Sequence, residues 1–68
     1  MRTPIMFRTL RNNTPFSPPL GAIGCNNVYI KKENGVCPQV GTKEYGIFWP
    51  DDRVVETKLP DSIMKIYR

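Results

Sequence analysis

Apolar residues in this chain come in short, imperfectly alternating runs separated by turn residues, a pattern of short strands rather than helices. In residues 4–11, PIMFRTLR, Ile5, Phe7 and Thr9 share one face, and Met6, Arg8 and Leu10 the other. A first strand with both faces partly apolar is expected there. Asn12-Asn13-Thr14-Pro15 ends it with turn chemistry. Residues 12–24 read as an extended arm. Pro18 and Pro19 each fix their own φ and push the preceding residue out of the helical region. Phe16, Leu20 and Ile23 are too apolar for a free linker, so the arm either covers an edge of the domain or docks on a partner.

Residues 28–40 carry the clearest local signal. Two β-rich runs flank Glu33-Asn34-Gly35, and Asn and Gly both tolerate positive φ, so a hairpin is expected. A three-residue loop with Gly35 left-handed places Val28, Ile30 and Val40 on one face and Tyr29, Lys31 and Cys37 on the other. A two-residue turn shifts that register by one. The three-residue loop is preferred because its apolar face is cleaner. Pro38 cannot donate to a ladder, which marks an edge or a bulge. Residues 45–59 read as a second hairpin, turning at Pro50-Asp51-Asp52. Residues 63–67, IMKIY, read as a last strand, with one helical turn as the alternative.

These elements predict an all-β fold in one small domain over residues 1–68. The expected form is a strongly bent five-stranded antiparallel sheet, or a partly open SH3-like or OB-like barrel, with an extended N-terminal Pro-rich arm. The chain has 68 residues, 40% of them hydrophobic. A chain this short buries only about 60% of its unfolded surface. A small core, completed by a partner, is therefore expected.

Charge sharpens the picture. Residues 1–32 carry Arg2, Arg8, Arg11, Lys31 and Lys32 and no acid, while the remainder holds all six acids against five bases. The net charge of +4 thus divides as +5 and −1. No apolar run approaches the ~20 residues of a membrane span, and no secretory signal is visible, so an intracellular, cytoplasmic protein is expected. The acid-free N-terminal segment is compatible with a mitochondrial presequence, but its prolines spoil the amphipathic helix one needs. They argue equally against a basic helix lying on a membrane surface. Cys25 and Cys37 form no disulfide framework and are read as free thiols.

The chain has no histidine, which removes the commonest general base, the commonest metal ligand and any Ser–His or Cys–His pair. The twelve-residue spacing of Cys25 and Cys37 is not that of a structural zinc site. The adjacent Asp51 and Asp52 read as a solvated turn rather than a catalytic pair. Gly21-Ala22-Ile23-Gly24 lacks the lysine of a phosphate loop. Neither catalytic activity, cofactor nor metal is expected.

Two features point to binding. One is the arm, with aromatic anchors: Phe16, Leu20, Ile23, Trp49 and Arg53 are the residues expected to contact a protein partner. The chain then acts as an accessory or structural subunit, or an inhibitor, of a larger protein assembly, by occlusion or bridging. Its basic, motif-free composition is common among virus- and phage-encoded factors. The other feature is the pairing of bases with aromatics. Arg8, Arg11, Tyr29, Lys31 and Lys32 are the candidates for a nucleic-acid-binding face that stacks bases and neutralises phosphates.

Overall fold

The computed structural model describes residues 3–19, 21–22, 24 and 26–67. Six short strands and one helix follow in order: β1 (Ile5–Met6), β2 (Pro15–Ser17), β3 (Tyr29–Ile30), β4 (Val36–Pro38), β5 (Tyr45–Ile47), β6 (Arg53–Glu56) and α1 (Asp61–Tyr67). The fold is predominantly β. It is not one five-stranded sheet: a four-stranded antiparallel sheet runs β1-β6-β2-β3, and β4 and β5 form a separate two-stranded ribbon. Among the described residues one isolated bridge, Tyr29 to Gln39, links the two. The described strands do not close into a barrel.

The first strand is shorter than its pattern suggests. Only Ile5 and Met6 stay extended, and Phe7–Thr9 form a 3-10 turn. The Phe7 and Arg8 amides donate to Asp52 O (2.8 Å) and Pro50 O (3.1 Å). This wraps the chain over the distant Pro50 turn and buries Phe7 and Leu10, three residues apart, on one side. Strict alternation would have put them on opposite faces.

Part of the expected arm, β2, lies instead in the middle of the sheet. Asn13, at φ 67°, turns the chain, and β2 then lies between β6 and β3. Pro15 can open a central strand because its carbonyl still accepts the Thr57 amide, at 3.0 Å. Phe16, fully buried, is the hub of the core. Its ring lies 5.4 Å from Phe7, 4.8 Å from Phe48 and 5.9 Å from Tyr29. Phe48 also stacks on Phe7 at 5.6 Å and meets Tyr29 edge-on at 5.0 Å. These four rings, with Leu10, Cys37 and Val54, fill the space between sheet and ribbon.

The first expected hairpin keeps its register but not its ladder. Tyr29 opposite Gln39 places Lys32 opposite Val36, which leaves Glu33-Asn34-Gly35 as the three-residue loop, and Gly35 is left-handed at φ 81°. A Cβ on Gly35 would lie 2.6 Å from Phe48 O, so only glycine fits. The Val40 amide bonds Val28 O at 2.8 Å. The next hydrogen-bonded pair would be Ile30 with Pro38, and Pro38 has no N–H to give. The ladder stops there, and β4 pairs with β5 instead. Tyr29 and Cys37 are buried on one face and Ile30 is buried on the other. Lys32, on the Ile30 face, donates to Tyr67 O at 2.9 Å and brings the end of α1 to that side.

The second expected hairpin does not form. Its turn does: the Asp52 amide bonds Trp49 O at 3.0 Å, with Pro50 second in the turn. The flanking strands then part. β5 joins β4 while β6 is clamped between β1 and β2, which buries Val54 completely. The expected last strand is a helix. Pro60 O accepts the amides of Ile63 (2.9 Å) and Met64 (3.0 Å). Asp61 in the first turn and Lys65 in the last suit the helix dipole.

Candidate functional site

The ribbon sorts its side chains sharply. Val36 lies opposite Ile47, Cys37 opposite Gly46 and Pro38 opposite Tyr45. Side chains alternate across a strand, so Cys37 and Gly46 face inward and the other four share the outer face. Cys37 is fully buried. Gly46 is pressed against the core: a Cβ there would come within 2.8 Å of both Phe48 Cε2 and Tyr29 Cε1. The ribbon can therefore lie flat on the aromatic cluster only with glycine at this position.

The outer face is apolar and open. Tyr45 is 66% exposed, Ile47 71% and Val36 39%. Val36–Ile47 and Pro38–Tyr45 are pairs between which no ladder hydrogen bonds run, so their side chains stand close together. Trp49 extends the same strip. It is 69% exposed and lines a groove of ≈ 330 Å³ with Ile47, Pro50 and the Glu33–Gly35 turn. Its backbone is held rigidly: the Trp49 amide donates to Asp52 Oδ2 at 2.8 Å while its carbonyl accepts the Asp52 amide. Ile66 on α1 is the one large exposed apolar residue away from this strip among the described residues.

Of the residues expected to contact a protein partner, Trp49 and Arg53 are exposed. Phe16 has no surface to offer, because the core consumes it. Leu20 and Ile23 lie outside the described residues, as does Cys25. Val36, Tyr45 and Ile47 were not singled out in the sequence. The signal was present in the alternation of Tyr45, Ile47 and Trp49, but assigning the outer face required knowing that β5 pairs with β4.

The basic and aromatic candidates are not equally available at the surface. Tyr29 is in the core, where its ring cannot stack on a base, and its hydroxyl accepts from Asn27 Nδ2 at 3.4 Å. Lys31 is only 7% exposed, its ammonium 4.5 Å from the centre of the Phe7 ring. Lys32 donates to Asn13 Oδ1 at 2.8 Å as well as to Tyr67 O. Arg8 forms an ion pair with Asp51 at 2.7 Å. Arg11 is exposed. Of five basic and aromatic candidates, two are buried and two are held by neighbours.

Chemistry is equally constrained. Asp51 serves the Arg8 pair and Asp52 the Trp49 amide, so the adjacent acids do separate structural tasks. Burial raises the Cys37 thiol above its ordinary 9.0, against the opposing pull of the Lys32 backbone N–H and the charges of Lys31 and Lys32. A buried, protonated thiol is a poor nucleophile. Among the described residues no cluster of His, Cys, Asp and Glu could hold a metal ion, and no helix is long and apolar enough to cross a membrane. No family model matches the chain, and neither the curated proteins nor the solved structures give a significant match.

Proposed function

We propose that this chain is a non-enzymatic protein-binding module that docks through the outer face of the β4–β5 ribbon. The observation that carries this reading is the gathering of Val36, Tyr45, Ile47 and Trp49 on one strip while Phe7, Phe16 and Tyr29 are buried and Phe48 packs against them. Exposed apolar strips rimmed by polar residues mark interaction surfaces. Aromatic anchors dominate the energetics of such contacts, and Trp49 and Tyr45 are the anchors here. Arg53, exposed at the start of β6, supplies a rim charge. The module acts by occupying an apolar groove on a larger protein, as an accessory subunit or an inhibitor does.

The test is capture of partners from cell lysate, with and without nuclease treatment, by the wild-type chain and by Ile47→Lys and Trp49→Ala variants, with circular dichroism to verify that each variant folds. Proteins retained by the wild type and lost by both folded variants support the reading. Equal retention by all three chains overturns it, and so does retention that disappears with nuclease.

A further inference from the structure

The groove beside Trp49 carries a single charge. Phe7, Ile47, Phe48, Trp49 and Pro50 line it together with the Glu33–Gly35 turn. Its backbone acceptors are spent. Gly35 O takes the Phe48 amide (2.9 Å), Pro50 O the Arg8 amide (3.1 Å) and Trp49 O the Asp52 amide (3.0 Å). The Glu33 carboxylate is not spent. It is exposed and has no hydrogen-bond or ion-pair partner among the described residues.

Glu33 stands apart from the other acids. Asp51 pairs with Arg8, Asp52 holds the Trp49 amide, and Glu56 and Asp61 are engaged as well. The Glu44 carboxylate shares the freedom of Glu33 but does not line this groove. The chain has ten bases, yet among the described residues none neutralises Glu33. Lys32, its neighbour in sequence, gives its ammonium to Asn13 Oδ1 (2.8 Å) and Tyr67 O (2.9 Å). A turn carboxylate facing bulk water is ordinary. An unpaired carboxylate in a groove with an exposed indole and apolar walls has a definite complement, a cation with a planar face and an apolar stem.

We propose that this groove receives an arginine side chain presented by a protein partner. The inference deepens the reading of the ribbon as a docking face and rests on it. Arginine fits the groove in three ways. Its methylene stem covers apolar wall such as Ile47 and Pro50. Its guanidinium plane stacks on the Trp49 ring. Its N–H fork donates to the Glu33 carboxylate. Lysine offers the charge without the plane or the fork. Glu33 and Asn34 also line a second groove, of ≈ 450 Å³, with Lys32, Val36, Pro38 and Tyr45. Lys32 disfavours a cation there, whereas Val36, Pro38 and Tyr45 suit an apolar side chain. The ligand is therefore an extended segment with an arginine for one groove and an apolar residue, close in sequence, for the other. Asn34 borders both grooves. Its Oδ1 accepts the Val36 amide at 3.1 Å, which leaves its NH2 group to donate to a carbonyl of the segment.

A random-peptide library displayed on phage, selected on the full chain, tests the assignment. A recovered peptide, labelled with fluorescein, is then titrated by anisotropy against the wild type, Glu33→Gln and Ile47→Lys, each verified by circular dichroism. Recovered peptides are expected to share an arginine within a few residues of an apolar side chain. Glu33→Gln should weaken binding at least about fivefold, as loss of a charge-assisted hydrogen bond does. With the peptide arginine replaced by methionine, the same substitution should change affinity by less than about twofold. Glu33→Arg should restore binding to a peptide whose arginine is replaced by glutamate. Peptides that Ile47→Lys displaces but that carry no enriched arginine, or that ignore Glu33→Gln, overturn the arginine assignment and leave the ribbon reading standing. Recovery of no peptide sensitive to Ile47→Lys overturns the assignment as well, and lysate capture then decides the ribbon reading by itself.

Discussion

Phe16 and Trp49 look alike in sequence, as aromatic anchors beside prolines, yet the fold separates them completely, and that separation sets the first prediction. Phe16 is 0% exposed and Trp49 69%. Phe16→Ala removes the hub of the ring cluster, touching Phe7, Tyr29 and Phe48 at 5.4, 5.9 and 4.8 Å. A buried Phe→Ala change costs about 3–5 kcal/mol. At about 0.05–0.15 kcal/mol per residue, a chain of 68 residues has only about 3–10 kcal/mol in all. Since 1 kcal/mol moves Tm by about 4–8 °C in a domain of this size, Phe16→Ala should lower Tm by at least about 12 °C or leave the chain largely unfolded at 25 °C. Trp49→Ala removes a surface ring and should change stability by no more than about 0.5 kcal/mol, or about 4 °C. Thermal melts followed by far-ultraviolet circular dichroism measure both, without relying on the tryptophan as a probe. Equal losses in the two variants would show that Trp49 is packed in solution and would remove the basis for the binding strip. A Phe16→Ala shift below about 4 °C would refute the ring cluster as the core.

Three further outcomes follow from local geometry. Gly46→Ala should cost about 1–3 kcal/mol by urea denaturation, because its methyl group would meet Phe48 and Tyr29 at 2.8 Å. Cys37 should resist iodoacetamide in the native state and react freely in denaturant. Because its pKa is raised in the folded chain, the unfolded chain loses this proton first. The contribution of this thiol to stability should therefore be fully present below pH 9.0 and be lost as pH rises beyond it, and Cys37→Ser should flatten that part of the alkaline decline. Asp51→Asn should shift the urea midpoint by less than the equivalent of about 0.5 kcal/mol, since the Arg8–Asp51 pair is exposed at 58% and 78% and water screens it.

Turn chemistry was legible in this chain, and strand partnership was not. Asn34-Gly35 specified a loop and its handedness, Asn12-Asn13 a turn, and Pro50-Asp51-Asp52 another, because a turn is decided by the φ/ψ preferences of two or three consecutive residues. The predominance of strands was readable for a related reason, since β-branched and aromatic runs between turns suit little else. Which strands pair is a different kind of question. β6 meets β1 and β2 rather than its sequence neighbour β5, and β2 sits mid-sheet although it lies in the most proline-rich stretch. Those choices depend on where four distant rings can pack together, and each ring contributes only once the others are in place. The short run Ile63 to Tyr67 was ambiguous between strand and helix, and the Pro60 carbonyl decided it.

The division between core and surface was settled at the same level. By itself the sequence determined a small, turn-rich, histidine-free β chain whose basic half carries no acid. The tertiary structure alone decided that Phe16, Tyr29 and Lys31 belong to the interior and that Tyr45, Ile47 and Trp49 belong to the surface. The physical reason is that alternation assigns a residue to one of two faces, whereas burial depends on what covers each face. In this fold the covering comes from strands far away in the chain.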